Sequence, residues 1–353
     1  MRIEDLETPV VLIDVDRVEA NLVRAQAFAD KHGLALRPHI KTHKLPRFAR
    51  RQVELGAVGI TCQKLGEAEV MADAGIADIF LPYNLLGAAK LNRLQALHTR
   101  IRITVTADSA VVVDGLAGAF TDPAHRLGVL VECDTGMHRC GVPTPQAALD
   151  LARRIAAAPG LEFLGLMTYP AAGKAAECAA WLSEAKSLLE NANLAPKVIS
   201  SGGTPDLWHA HENASPATEY RPGTYIYLDR YQVEKGVGSL DDCALTVLAT
   251  VVSRPTDDRC VIDAGSKALT SDTLGLSGFG TILNYPDAVV ASLSEEHGVI
   301  DLSRSAKKLQ IGERIRIVPN HACVVTNLFD SVALVSGYDV TAIEPVAARG
   351  RVT

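Results

Sequence analysis

The stretch GAVGITCQKLGEAEVMADAGIADIFLPYN, Gly56–Asn84, decides how this chain is read as a fold. Its two ends, Val58–Gln63 and Asp78–Asn84, are apolar runs of strand length. Between them KLGEAEVMADAG places Leu65, Ala68 and Ala72 at helical spacing and ends on a glycine, as a helix does. The unit is therefore strand, helix, strand. The same alternation runs outward in both directions, with strands expected at Leu34–Lys41, Arg102–Asp108, Leu127–Asp134, Glu162–Tyr169, Lys197–Gly202 and Thr224–Asp229. Helix-compatible segments such as LPRFARRQVELGA and PQAALDLARRIAAAPG lie between them. Short apolar strands separated by helices predict a parallel sheet covered on both faces. Eight such units fit the length of a (β/α)8 TIM-type barrel, about 250 residues in the typical case. The competing doubly wound sheet lacks a GxGxxG after its first strand.

After Asp242 the texture changes. CALTVLATVVSRP, RCVIDAGSKAL, ERIRIVPNH and SVALVSGYDVTAIEPVAARGRV are strand patterns separated by turns. The reading is a barrel over residues 10–240 and an all-β domain over 241–353 that also takes in residues 1–9.

Composition narrows the class of function. Of 353 residues 48% are hydrophobic, enough for a large core, and the net charge of −6 gives no basic footprint for nucleic acid or an anionic membrane. No apolar run approaches the ~20 residues that span a bilayer. The opening MRIEDLETPVVLIDVD has no leader pattern, and the seven cysteines are odd in number without CxxC spacing. A reduced, cytoplasmic enzyme without nucleic-acid or membrane partners is expected.

In a barrel of this kind the active site lies at the carboxyl ends of the strands. Those ends carry Lys41, Gln63, Asn84, Asp108, Asp134 with Arg139, Tyr169, Ser200–Thr204 and the Tyr225/Tyr227 run. In SSGGTPD, Ser200–Asp206, Gly202, Gly203 and Thr204 can point backbone N–H groups and a hydroxyl at an anion. In LRPHIKTHK, Leu36–Lys44, Lys41 is placed where an apolar strand stops, so burial favours its neutral, nucleophilic amine. Lys44 reads as a solvated loop lysine. A phosphate cradle and a buried amine together suit pyridoxal 5′-phosphate.

RPHIKTHK, DTGMHRCGV, SSGGTPD, RPGTYIYLD, IDAGSKALTSD, SEEHG and PNHAC…NLFD, with Gly56–Asn84, resemble in order the D-threonine aldolase / D-serine dehydratase family. That family consists of fold type III pyridoxal-phosphate enzymes, with an alanine-racemase-like barrel and a β domain. The resemblance implies that Lys41 binds the cofactor as a Schiff base and acts as the base at Cα. It implies that Gly202, Gly203, Thr204 and Tyr225 hold the phosphate, that Arg139 contacts the phenolic oxygen, and that Gln63 and Tyr169 wall the ring. It also implies a homodimer whose small-molecule substrate is a D-amino acid.

PNHAC, Pro319–Cys323, holds a second candidate. Residues i and i+2 of a strand face one way, so His321 and Cys323 can converge on one metal ion. Imidazole plus thiolate favours zinc, with manganese the alternative, and two protein ligands leave room for substrate and water. In the resembled family an H-x-D pattern goes with aldolases and H-x-C with dehydratases. Cys323 therefore points to dehydration of D-serine or D-threo-3-hydroxyaspartate to a 2-oxo acid and ammonia. Retro-aldol cleavage to glycine and an aldehyde is the alternative. A racemase is a second alternative, with Tyr338 as its candidate second base. A non-catalytic cofactor carrier would lack the β domain. The remaining polar residues carry milder expectations. His39 is expected on the face of Lys41, His209 and His211 in a solvated loop, His297 near the metal region, Lys267 in a structural role, and His138 turned away.

Overall fold

The first strand, β1 (Val10–Asp14), is followed by the helix Val15–Lys31 and then by eight parallel strands. These are β2 (Ala35–Leu36), β3 (Ile60–Thr61), β4 (Asp78–Leu81), β5 (Arg102–Ala107), β6 (Leu127–Cys133), β7 (Leu161–Thr168), β8 (Val198–Ser201) and β9 (Glu219–Tyr220). Their order in the sheet is β2-β9-β8-β7-β6-β5-β4-β3. The two edge strands meet where Val58 N–H donates to Leu36 C=O at 2.9 Å and Thr61 N–H to Pro38 C=O at 2.7 Å. A parallel bridge between His39 and Thr61 completes the closure. β6 is buried at all seven positions, as a parallel strand covered on both faces must be.

Helices follow the strands at Pro46–Leu55, Leu65–Asp73, Ala88–His98, Ala110–Ala119, Pro145–Ala157 and Ala175–Asn191. The helix Pro145–Ala157 shows how local sequence builds them. Thr144 caps it by accepting the Ala147 N–H at 3.1 Å, and Pro145 stands at the first helical position. Ala148, Leu151, Ala152 and Ile155 form its buried stripe.

The computed structural model describes residues 1–212 and 215–353. The parallel barrel belongs to a unit formed by Ala25–Lys41, Pro46–Gly223 and Arg351–Thr353. Met1–Arg24, Thr42–Leu45 and Thr224–Gly350 form the other unit, so the division falls elsewhere than the 9/10 and 240/241 boundaries read from the sequence. The reason is pairing: β1 lies between two strands of the β unit. Besides β1, the strands of that unit are β10 (Leu245–Thr256), β11 (Arg259–Ile262), β12 (Thr281–Ile282), β13 (Val289–Leu293), β14 (Gly298–Asp301), β15 (Arg314–Val318), β16 (Ser331–Ser336) and β17 (Asp339–Pro345), and β1 pairs with β10 and β16. Their sheet order is β11-β14-β13-β12-β15-β10-β1-β16-β17, and a further β10–β11 pairing closes six of them into an antiparallel barrel. β10 can serve β1, β11 and β15 because it is twelve residues long and carries register shifts. Among the described residues no helix is long and apolar enough to cross a membrane.

One expected strand is absent. Thr224–Asp229 does not continue the parallel sheet; Pro222 and Gly223 end β9, and Thr224–Ile226 is a 3-10 turn. Tyr225, Ile226, Tyr227 and Leu228 are all buried, so this apolar run packs on every side instead of alternating. The eighth strand is Glu219–Tyr220, which its own Glu219 and the following Arg221 hide from a hydrophobicity pattern.

Charges lie inside the parallel-barrel unit. Arg37 donates from Nε to Glu219 at 2.6 Å and from Nη1 to Asp78 at 2.5 Å. Ser200 Oγ donates to Glu219 at 2.6 Å and accepts from Arg221 Nε at 2.8 Å, and Arg221 Nη2 donates to the Thr168 carbonyl at 2.5 Å. Burial pulls Arg221 down to about 10, with Glu219 and Glu132 opposing that pull. Glu132 on β6 is 5% exposed. Burial pushes its carboxyl up to about 7; Asp108 adds to the rise while Arg139 and Arg221 oppose it.

Glu132 should make stability fall with rising pH. Below its ordinary value of 4.5 the carboxyl is neutral in both folded and unfolded chains. Between 4.5 and about 7 the unfolded chain ionises while the buried group stays protonated, so stability drops, then levels off above 7. The full effect is on the order of 3 kcal/mol. Urea denaturation of Glu132→Gln should therefore show a variant that gains on the wild type between pH 5 and pH 8. A difference that does not change with pH would refute the account.

Candidate active site

The carboxyl ends of the parallel strands carry most of the residues singled out by sequence. Lys41 is the middle residue of a 3-10 turn, Ile40–Thr42, not the last residue of a strand, because β2 ends at Leu36. It is half-buried, and its Nζ has no hydrogen bond or ion pair to any described residue. Its backbone N–H donates to His39 Nδ1 at 3.3 Å, and His39 Nε2 lies 3.0 Å from Gln63 Oε1. An acceptor at Nδ1 and a donor at Nε2 describe one neutral tautomer, so His39 ties the lysine turn to the end of β3. Gln63 Nε2 in turn reaches the Pro82 carbonyl at 3.4 Å. The histidine is thus a buried, satisfied bracket between Lys41 and Gln63.

Lys44 differs from the solvated loop lysine that its position suggested. It is 6% exposed, adopts φ of 56°, and donates to Asn327 Oδ1 at 2.8 Å, while its carbonyl accepts the Ala348 N–H. Its amine is engaged in holding structure. Of the two lysines, Lys41 alone presents an amine without a partner among the described residues.

The glycine turn after β8 is shaped by two tyrosines. Gly202 has φ of +89°, and a Cβ there would sit 2.1 Å from the Tyr220 ring; one on Gly203 would meet Tyr169 Cε2 at 3.0 Å. Neither position tolerates a side chain without displacing an aromatic ring. Thr204, 4% exposed, opens the 3-10 helix Thr204–His209, and its Oγ1 accepts the Gly223 N–H at 3.1 Å. The Gly203 N–H donates to the Tyr220 hydroxyl. Arg139 is exposed, with its guanidinium 5.0 Å from the centre of the Tyr169 ring. A side-chain-free turn, hydroxyls and main-chain N–H groups, together with an unpartnered amine at the same strand ends of this unit, suit a phosphorylated aldehyde cofactor. The residues present fit pyridoxal phosphate.

Tyr225 is 2% exposed and lies in the 3-10 turn Thr224–Ile226, not on a barrel strand.

The β unit holds the second candidate. His321 is the residue before the helix Ala322–Leu328, and Cys323 is the second residue inside it, so the pair is not on a strand as its spacing suggested. The two side chains still meet: His321 shares a hydrogen bond with Cys323. Cys323 Sγ also lies 3.1 Å from Thr42 Oγ1 and 3.6 Å from Thr224 Oγ1. Asp229, fully buried, accepts the Ala322 N–H at 2.9 Å and the Gln232 N–H at 3.0 Å, which pins the start of the helix. Burial nonetheless lifts Asp229 to about 6. Burial by itself would lower His321, but Cys323 and Asp272 outweigh it and push the imidazole up to about 9. Among the described residues no three or more His, Cys, Asp and Glu side chains converge on a metal position. The pair therefore fits an ion that keeps open positions, and imidazole with sulfur suits zinc.

The other histidines and charges are accounted for within their units. His209 pairs with Glu212 at 2.8 Å, and His211 stacks on His32 at 3.8 Å. Residues 213 and 214 of that loop lie outside the described residues. His138 is exposed and pairs with Asp134, and His297 is exposed. Lys267 binds Glu295 and Glu296, while Asp263 accepts from Thr8 Oγ1 and the Thr250 N–H. Sequence reasoning missed Glu132, Glu219, Arg221 and Asp272. Glu132 had a signal, since it is a charge inside an apolar strand, whereas Glu219 lies in, and Arg221 directly after, a strand that is not apolar. Asp272 had none.

Comparison with known proteins matches this architecture. Residues 13–231 match the family "Alanine racemase, N-terminal domain" and residues 244–335 match "Putative serine dehydratase domain". A D-threonine aldolase of Arthrobacter sp. is 35% identical, over 98% of this chain and 93% of its own length. A D-threo-3-hydroxyaspartate dehydratase of Delftia sp. (strain HT23) is 31% identical over 90% and 91%. Among solved structures, a D-threonine aldolase from Filomicrobium marinum superposes with a TM-score of 0.91 at 32% identity, covering 99% of this chain and 97% of that one. A cysteine-to-alanine mutant of a D-threo-3-hydroxyaspartate dehydratase, in the metal-free form, superposes at 0.87 with 28% identity over 98% and 99%. The paired domains, the shared fold and these identities place the chain in the alanine racemase N-terminal domain family, among its pyridoxal-phosphate-dependent lyases.

Proposed function

We propose that this protein is a zinc-dependent member of those lyases that dehydrates D-3-hydroxy amino acids, of the D-serine or D-threo-3-hydroxyaspartate type, to a 2-oxo acid and ammonia. The observation that carries this reading is the pairing of His321 with Cys323. The solved dehydratase mutants include a histidine and a cysteine two positions apart, and the cysteine mutant is described as metal-free. His321 and Cys323 have that spacing. Aldolase activity is the second reading, favoured by the 35% identity to a D-threonine aldolase.

Pyridoxal phosphate, when bound, supplies an electron sink for the charge left at Cα, and a divalent metal supplies Lewis acidity toward the substrate's 3-hydroxyl. The chain's own residues do the rest. Lys41 would hold the cofactor through its unpartnered amine and then carry the proton from Cα. His39, through the Lys41 N–H and Gln63, would keep that turn in place. Gly202, Gly203 and Thr204 would hold the phosphate, and Tyr169 with Arg139 and Gln63 would flank the ring. His321 and Cys323 would hold the metal. A homodimer belongs to this reading.

Lys41→Ala should lose both activity and the visible absorption of the bound cofactor. Lys44→Ala should keep that absorption and lose about 1–3 kcal/mol of stability with its buried bond to Asn327. Equal cofactor spectra in the two variants would remove Lys41 from its role.

Product analysis decides the reaction. Incubated with D-serine or D-threo-3-hydroxyaspartate, the enzyme should release a 2-oxo acid and ammonia. Release of glycine and acetaldehyde from D-threonine, with no 2-oxo acid from the other substrates, would establish the aldolase instead.

A further inference from the structure

We infer that Asp272 is the positioning residue of the metal pair, holding His321 with its proton on Nδ1 so that Nε2 is the nitrogen offered to the metal. This rests on the reading of His321 and Cys323 as metal ligands given above.

Asp272 Oδ2 lies 2.6 Å from His321 Nδ1. A carboxylate can only accept there, so Nδ1 is the donor, and in the neutral ring that a metal requires the opposite nitrogen carries the lone pair. The two oxygens of Asp272 have separate duties. Oδ1 accepts the Leu274 N–H at 3.3 Å within its own loop, while Oδ2 serves the imidazole. The loop is built to hold this arrangement. Thr270 Oγ1 accepts the Asp272 N–H at 3.1 Å, and Thr270 and Leu274 adopt φ of 62° and 50° on either side of the aspartate. Two non-glycine residues in left-handed conformations cost free energy that the surrounding structure must offset.

Among the described residues Cys323 is the other side chain that hydrogen-bonds the imidazole, and it is the second donor of the pair. Both oxygens of Asp229 are committed to backbone N–H groups of Ala322 and Gln232, and Cys323 Sγ is flanked by Thr42 and Thr224. The backbone on both sides of His321 is already fixed. Asn320 donates to the Gly278 carbonyl and accepts from Arg230, and Ala322 donates to Asp229. What remains free is rotation and tautomer of the ring, and Asp272 sets both. Ligating histidines are commonly held by such an outer carboxylate, whose loss weakens metal affinity by about 10–100-fold.

The test is zinc affinity of the cofactor-loaded protein, measured by competition with a chromogenic chelator, beside the Tm of the metal-free form. Asp272→Ala should bind zinc about 10–100-fold more weakly. Asp272→Asn, which keeps an accepting oxygen, should fall between it and the wild type, with the cofactor spectrum and metal-free Tm unchanged in both. His321→Ala and Cys323→Ala should bind weakest. If those two lose zinc while Asp272→Ala binds like the wild type, the positioning role is refuted and the metal reading stands. If neither loses zinc, the metal reading fails and takes this inference with it. If Asp272→Ala folds poorly, Asp272→Asn decides: weaker zinc at an unchanged Tm supports the role, and wild-type affinity overturns it.

Discussion

The parallel barrel depends on one seam. β2 and β3 are two residues each, too short to ladder like the other strands, and they meet through only the Val58–Leu36 and Thr61–Pro38 hydrogen bonds and the His39–Thr61 bridge. Pro38 suits such a place, since it offers a carbonyl but no N–H and forces the residue before it toward extended backbone. Directly beyond the seam the chain tightens into the 3-10 turn that carries Lys41. The same few residues that close the barrel therefore aim the amine. His39 makes the coupling tangible: it bridges to Thr61 through its backbone and reaches both Lys41 and Gln63 through its ring.

A second constraint comes from charges enclosed by the barrel. Arg37, Glu219, Ser200 and Arg221 form a continuous hydrogen-bonded chain across β2, β9 and β8 and the residues that follow them. Buried ion pairs contribute little to stability relative to an apolar core, but loss of one partner leaves a costly uncompensated charge. Such a chain fixes register. Here it sets which way β9 enters the sheet, with only two residues in the strand to specify it. It also leaves Glu132 without an adequate counter-charge, which is why its carboxyl resists ionisation.

Much of this was legible in sequence, for a physical reason. Strands buried on both faces appear as unbroken apolar runs and helices as periodic stripes, so seven of the eight parallel strands could be placed from residue type alone. The eighth could not, because Glu219 and Tyr220 are polar and charged for the sake of the buried network, whereas the strand-like TYIYL is apolar for the sake of packing. Position and chemistry parted in the same way at the lysines. Lys44 looked solvated because it follows the strand, yet it is buried, and Asn327, far along the chain, is what accepts its charge.

His321 and Cys323 meet, but through a geometry other than the one their spacing suggested. A spacing of two places side chains together on a strand, and that argument joined His321 to Cys323. In the structure they meet because His321 stands before a helix in extended backbone, with φ of −138°, while Cys323 occupies the first turn. A helix start is a more rigid platform than a strand edge only if it is pinned, and Asp229 pins it by accepting the Ala322 N–H. Asp272 then supplies what a spacing argument never can, the orientation of the ring. The chemistry is thus divided along the chain. Residues after the parallel strands suit a phosphorylated cofactor, and a short helix in the β unit, pinned by Asp229, brings His321 and Cys323 together.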